Sequence, residues 1–182
     1  MRTLKKSLSD LKVVIMAGGK GSRLSPMKPV IEVCGKPMIL WVYEFSKQFS
    51  DRIFIATVKD HPALPKLKEI ISTNNIIFTE GKGYEFDVIE AVKKVGLPCL
   101  VFPSDTPFIP KGAVEKLINE CETSICTLLS KGDFIGISLW NSLDTSSFSS
   151  VNTDYEIVNV NTNKDLLKIN EKCSEGFIWG KE

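Results

Sequence analysis

Apolar residues recur along the chain in short continuous runs separated by stretches with helical spacing. Leu11 to Met16, Ile53 to Thr57, Asn75 to Phe78 and Cys99 to Phe102 each read as a strand buried on both faces. Between them, Pro37 to Phe49 is too densely apolar for alternation and predicts a largely buried helix opened by proline. Leu64 to Ile71 predicts a second helix, and Tyr84 to Val95, apolar at 88, 89, 92 and 95, a third. Another helix follows Pro110. Strands alternating with helices predict an α/β fold of three layers, a mostly parallel sheet covered on both faces. Ligands of such a sheet gather at the carboxyl ends of its strands.

Beyond Lys131 the pattern changes. Phe134 to Trp140 reads as a strand, and residues 141–152, rich in Ser, Asn, Asp and Thr, as a loop or mobile flap. A further strand is expected over Tyr155 to Val160, then a helix capped by the Thr162 hydroxyl with Asp165 at its third position. The organisation expected is an N-terminal extension at 1–10, one domain at 11–173 and a loose tail at 174–182, in which Phe177, Ile178 and Trp179 have somewhere to dock.

Composition narrows the classes. With 182 residues, 43% of them hydrophobic, the chain can bury the core of a single domain. Its 23 basic and 22 acidic residues leave a net charge of +1, so no overall field recruits nucleic acid or an anionic membrane surface. Anion binding must be local. No run approaches the roughly 20 apolar residues of a membrane span. The basic Arg2, Lys5 and Lys6 are followed only by the short run at Leu11, so no leader is expected and the setting is read as cytoplasmic. Five cysteines, an odd number without a C-x-x-C pair, are read as reduced thiols. The single histidine, His61 before Pro62, reads as a surface or turn residue, and Trp41 and Tyr43 as core rather than interface.

Candidate chemistry concentrates after the first strand, in Ala17-Gly18-Gly19-Lys20-Gly21-Ser22-Arg23-Leu24-Ser25-Pro26-Met27-Lys28-Pro29. Three close glycines let backbone N–H groups approach an anion, while Lys20, Arg23 and Lys28 supply charge. The spacing is neither that of a Walker A loop nor that of the dinucleotide fingerprint. A triphosphate-binding loop and nucleotidyl transfer are the expectation.

Asp105, just past the strand ending at Phe102, is the choice for a Mg2+ ligand, since Mg2+ is held by one or two carboxylates together with phosphate oxygens. Capping of the following turn is its other reading. Gly81, Lys82 and Gly83 admit a base or ribose to a second loop. Asp87 can accept from guanine or complement a helix dipole. Asn159 and Asn161 alternate on an extended segment and face one side, where their amides bind an acceptor or metal-bound water, or satisfy backbone groups.

The run Gly19 to Pro37 resembles the signature G-x-G-[ST]-R-L-x-P, K-P-x6-K-P of the nucleotidyltransferases that activate sugar phosphates and related acceptors. Gly19, Gly21, Ser22, Arg23, Leu24 and Pro26 match, then Lys28-Pro29 and Lys36-Pro37. The resemblance implies a single Rossmann-like domain of the GT-A nucleotidyltransferase type. It also implies that Ala17 to Ser22 hold a nucleoside triphosphate, that Arg23 and Lys28 neutralise its phosphates, and that Asp105 binds Mg2+.

The segment Asn159-Val160-Asn161-Thr162-Asn163-Lys164-Asp165-Leu166 is similar to the N-x-N-T-x-x-D-L close of guanylyltransferases, the molybdenum cofactor (MobA-like) enzymes included. Gly81-Lys82-Gly83-Tyr84 with Asp87 looks more like the archaeal-type GTP:adenosylcobinamide-phosphate guanylyltransferases. The chain is shorter than those enzymes between Cys121 and Trp140, where an acceptor would be gripped. The activity implied is transfer of GMP from GTP to a phosphorylated small molecule, adenosylcobinamide phosphate of cobalamin biosynthesis, with release of pyrophosphate. A homodimer is compatible with this reading. Molybdenum cofactor guanylyl transfer, sugar-phosphate nucleotidyl transfer and a silent nucleotide-binding regulator are the alternatives.

Overall fold

The computed structural model describes residues 8–174. In chain order it contains β1 (Lys12–Met16), a hairpin of β2 (Glu32–Val33) and β3 (Lys36–Pro37), α1 (Met38–Ser46), β4 (Ile53–Thr57), α2 (Leu64–Ile70), β5 (Ile76–Phe78) and α3 (Tyr84–Val95). There follow β6 (Cys99–Pro103), α4 (Lys111–Glu120), β7 (Ile125–Ser130), β8 (Asp133–Trp140), β9 (Phe148–Thr153) and α5 (Asn163–Ser174). Residues 1–7 of the expected extension, and Phe177, Ile178 and Trp179 of the expected tail, lie outside the described residues.

The four apolar runs form the parallel half of one sheet of order β5-β4-β1-β6-β8-β7-β9. Period-two alternation then explains why those runs are continuous. Val13 and Ile15 of β1, with Leu100 and Phe102 of β6, face the layer of α1, α2 and α4, where Ile39, Val42, Leu67, Val114 and Leu117 are buried. Val14, Met16, Cys99 and Val101 face α3, through Val88, Ala91 and Val92. A third cluster packs α5 and the hairpin together through Val33, Met38, Phe108, Val160 and Ile169. Trp41 and Tyr43 pack inward as expected, and the Trp41 Nε1–H donates to the Val33 carbonyl at 2.8 Å.

Several expectations are corrected. The segment 141–152 is not simply a flap, because β9 pairs in parallel with β7 from Ile125 opposite Phe148 to Ser130 opposite Thr153. As an outer strand β9 buries only Val151 and Thr153, its other positions being Phe148, Ser149, Ser150 and Asn152, so no apolar run announces it. Residues 125–130 also form a strand, β7, which the hydrophobic pattern does not predict. Tyr155 to Val160 joins no ladder, Tyr155 lying in a bend and 156–160 in no regular element. Two of its backbone groups are satisfied instead by Ser130, whose hydroxyl donates to the Tyr155 carbonyl at 2.8 Å and accepts the Ile157 N–H at 3.0 Å.

The cysteines are not all reduced. Cys34 is bridged to Cys173, with Cα atoms 5.8 Å apart, and Cys121 to Cys126, 5.7 Å apart, while Cys99 is free and buried. The first pair spans 139 residues, a proximity created only by the packing of α5 on the hairpin.

Phe102 is fully buried at the sheet's centre, its ring 5.8 Å from that of Phe45. Phe102→Ala should lower the unfolding free energy by about 3–5 kcal/mol in urea titrations. A loss below about 1 kcal/mol would contradict this core.

Candidate active site

Met16 lies opposite Pro103 in the β1 and β6 pairing, so the chain leaves both strands at the same level. The Ser104 N–H donates to the Met16 carbonyl at 3.1 Å, extending that level by one bond. The order of strands reverses here, since β4 and β5 build out on one side of β1 and β6 on the other. A crevice at such a switch point is where open α/β sheets bind ligands.

A cavity of about 660 Å³ opens at this edge, lined among others by Gly18, Gly19, Lys20, Gly21, Lys28 and Asp105. Ala17, Gly81, Gly83 and Asp87 also border it. The structure therefore brings most of the sequence-predicted residues together. Ser22, Arg23 and Lys82 are not in its lining; they are exposed nearby in the chain, and Lys82 pairs with Glu80. The second Lys-Pro pair is also elsewhere. Lys36 bonds Glu44 at 2.6 Å and lies 4.1 Å from the centre of the Trp41 ring.

Gly21 has φ +59°, and a Cβ there would collide with the Ser25 carbonyl. The turn that follows presents Lys28 from a short helical turn containing Pro29. The Lys28 Nζ donates to Asp105 Oδ2 at 2.6 Å and to Asn161 Oδ1 at 2.8 Å. The Asn159 Nδ2 donates to the other oxygen of Asp105 at 2.9 Å and to the Ile135 carbonyl at 3.2 Å. Asn159 and Asn161 thus do face one side, and what they face is Asp105 and Lys28.

Asp105 is placed through its backbone as well, its carbonyl accepting the Val160 N–H at 2.8 Å. Among the described residues, no group of three or more His, Cys, Asp or Glu side chains is arranged for a metal ion. Asp105 and Asn161 nevertheless set two hard oxygen donors around one cationic position, now taken by the Lys28 ammonium.

On the opposite wall, Asp87 is buried in the first turn of α3 and one of its oxygens accepts the Gly81 N–H at 2.9 Å. The Glu80 to Gly83 loop is thereby folded over the helix N-terminus. For two residues the structure shows contacts that the sequence reading does not: Tyr84, read only as part of the Gly81 to Tyr84 loop, and His61. Tyr84 reaches across β6 to donate its hydroxyl to the Gly136 carbonyl at 2.9 Å. Although Tyr84 leaves 43% of its surface exposed, its hydroxyl end is enclosed at Gly136, and that local desolvation, with a smaller contribution from the Asp105 charge, pushes its phenol above the usual range. His61, expected at the surface, is only 4% exposed; its ring bonds the Gly19 carbonyl at 3.0 Å and accepts the Ala63 N–H at 3.1 Å. The His-Pro pair correctly indicated a turn, but no local signal shows that the turn folds against a loop 42 residues earlier.

The asparagine segment is held by a capping box. The Thr162 hydroxyl accepts the Asp165 N–H at 3.2 Å, and Asp165 Oδ2 accepts the Thr162 N–H at 2.8 Å and the Asn161 N–H at 3.0 Å. Partial burial pushes the Asp165 carboxyl up, but these donors outweigh it and hold it below the usual carboxylate range.

Sheet, crevice and glycine loop together define a nucleotidyltransferase-type α/β domain. The chain belongs to the MobA-like NTP transferase domain family, whose model matches residues 13–152. It is 41% identical over 101 residues to an adenosylcobinamide-phosphate guanylyltransferase of Methanocaldococcus jannaschii, a match covering 50% of each chain. It is 54% identical over 46 residues to a 3-deoxy-manno-octulosonate cytidylyltransferase of Aliivibrio fischeri, covering 25% of this chain and 18% of that one. The match thus spans about half the length of the first relative and less of the second. Among solved structures, molybdopterin-guanine dinucleotide biosynthesis protein A of Archaeoglobus fulgidus superposes with a TM-score of 0.71 at 21% identity. That superposition covers 90% of this chain and 99% of the other, and it supports the GT-A type of fold. Among the described residues no helix is long and apolar enough to cross a membrane.

Gly21→Ala should cost roughly 1–3 kcal/mol of stability in denaturant titrations, because the left-handed backbone and the Ser25 carbonyl both resist a side chain. Stability equal to wild type would contradict this loop conformation. For Asp165, the depressed folded-state pKa means its stabilisation is full above the unfolded value of 3.8 and is lost as pH falls through the folded value. The difference in melting temperature between wild type and Asp165→Asn should therefore be present at neutral pH and close on acidification to about pH 2. A difference that persists unchanged there would contradict the assignment.

Proposed function

We propose that the protein transfers GMP from GTP to a phosphorylated small molecule, with adenosylcobinamide phosphate the first acceptor to test. The observation that carries this reading is the meeting of Lys28, Asp105, Asn159 and Asn161 at a glycine-lined cavity on the switch edge of the sheet. The choice of base and acceptor is supported by the 41% identity to the guanylyltransferase over half the chain. Gly81, Gly83 and Tyr84 line the same cavity, and their loop is assigned to the nucleoside.

In this reaction an acceptor phosphate oxygen attacks the α-phosphorus of GTP in line, the bond to the β-phosphate oxygen breaks and pyrophosphate leaves. The attacking group is already anionic, so no strong base is needed. The work of the chain is positioning and charge neutralisation. The N–H groups of Gly18 to Gly21, with Lys20, receive the phosphates. Arg23 and Lys28 offset charge that builds on the departing pyrophosphate. Asp87, engaged with Gly81 through one oxygen, offers the other to the donor edge of guanine.

Mg2+ is the expected cofactor, and the donor set suits it: Asp105 Oδ2 and Asn161 Oδ1 already converge on one cation at 2.6 and 2.8 Å. When bound, the metal supplies charge neutralisation for the triphosphate. Asp105 and Asn161 would hold it, beside the Lys28 ammonium that they now bind.

A cytidylyl-transfer reading is favoured by one observation, the 54% identity over 46 residues to the cytidylyltransferase. Thermal unfolding with Mg2+ and GTP, ATP, UTP or CTP separates the two. GTP at about a hundredfold its Kd should add about 2.7 kcal/mol of stability and the others less. A preference for CTP would transfer support to the second reading, and no shift with any nucleotide would sink both. With acceptor present, Asp105→Ala should lower pyrophosphate release at least about a hundredfold while retaining part of the GTP affinity. Arg23→Ala should impair both. Absence of pyrophosphate release from wild type with any acceptor tried would favour a silent nucleotide-binding protein.

A further inference from the structure

His61 belongs to neither the signature nor the charged cluster, yet it is almost wholly buried and touches the glycine loop. Its Nδ1 accepts the Ala63 N–H at 3.1 Å, which requires a lone pair on that nitrogen. The proton of the neutral ring is therefore on Nε2, and it is donated to the Gly19 carbonyl at 3.0 Å. Both ring nitrogens are occupied, so the residue is not available as a general base. Its own backbone is also fixed, the His61 N–H donating to Val58 at 3.1 Å and its carbonyl accepting the Leu64 N–H at 3.0 Å. The ring is thus a rigid post at the start of α2.

A second tether lies beside it. The Thr57 hydroxyl, fully buried at the end of β4, donates to the Ala17 carbonyl at 3.2 Å. The carbonyls of Ala17 and Gly19 are consequently both held on the β4 side. In a planar trans peptide the carbonyl and the following N–H point in opposite directions. Holding those two oxygens turns the N–H groups of Gly18 and Lys20 away from β4. Among the described residues, no hydrogen bond uses the N–H of Gly18, Gly19, Lys20 or Gly21. All four residues line the cavity.

We propose that His61 is a positioning residue for the anion-binding loop: by donating Nε2–H to the Gly19 carbonyl, it presets the Lys20 N–H toward a bound triphosphate. This rests on the reading of the cavity as a nucleotide site. A loop with three glycines loses much conformational freedom on ordering, and a buried tether bears that cost before the ligand arrives.

The test compares wild type, His61→Asn and His61→Gln in full-length protein, by calorimetric titration with Mg-GTP and, separately, with inorganic tripolyphosphate. Asparagine keeps an acceptor for the Ala63 N–H, as in an Asx turn, but is too short to reach Gly19. Glutamine is long enough to donate to the Gly19 carbonyl. Affinity of His61→Asn for both ligands should fall by roughly threefold to tenfold, the scale of one hydrogen bond, with its unfolding midpoint near wild type. His61→Gln should recover most of the loss. Wild-type affinity in His61→Asn overturns the proposal. So does an equal loss in both variants that follows their lost folded fraction, since that marks a purely structural role. Should wild type bind neither GTP nor tripolyphosphate, the nucleotide reading of the cavity falls and the proposal with it; wild-type binding left intact in His61→Asn overturns the proposal alone.

Discussion

Parallel pairing of β1 with both β4 and β6 sets the level at which everything else in this molecule is built. Met16 stands opposite Ala56 on one side and Pro103 on the other, so three strands end together. From that common edge leave the glycine loop, the segment that carries His61, and the turn that carries Asp105. A slip of one residue would exchange Val13 and Ile15 with Val14 and Met16 between the two faces, and both faces are covered by helices. The same slip would separate the glycine loop from Asp105. Core packing and site geometry are therefore consequences of one register.

The charged cluster on that edge has a different physical logic. Lys28 and Asp105 have side chains only 15% and 18% exposed, so their attraction is offset by the loss of hydration. Such a pair persists when further hydrogen bonds complete it, and Asn159 and Asn161 provide these from a third part of the chain. The network joins positions 77, 54 and 133 residues apart. Its value lies less in stability than in geometry, because each oxygen of Asp105 has a fixed donor and the carboxylate cannot rotate freely.

Support for the asparagines comes from below. The capping box of Thr162 and Asp165 ends the asparagine segment at α5, and α5 packs Ile169 against Val33, Met38 and Phe108. The Cys34 N–H donates to Asn170 at 2.9 Å, and the Cys34 to Cys173 bridge lies alongside. The hairpin that follows Lys28 and the helix that follows Asn161 are thus one packed unit.

The sequence by itself determined those features that depend on near neighbours. Strands buried on both faces must be continuously apolar, which made β1, β4, β5 and β6 legible; helical spacing did the same for α2 and α3, and a long, dense apolar run opened by proline for α1. The Thr162 cap and the glycine turn at Gly21 are properties of a few adjacent residues and were legible for that reason. Tertiary structure decided what depends on register and topology. Serine-rich β9 became a strand because β7 offered it an edge, and Tyr155 to Val160 stayed outside the ladder, with the Tyr155 carbonyl and Ile157 N–H bonded to Ser130 and the Val160 N–H to the Asp105 carbonyl. The partners of His61, of Cys34 and of Lys28 lie 42, 139 and 77 residues away, beyond any local periodicity. Only the folded sheet, by ending its strands at one level, brings such residues within the few ångströms over which a hydrogen bond acts.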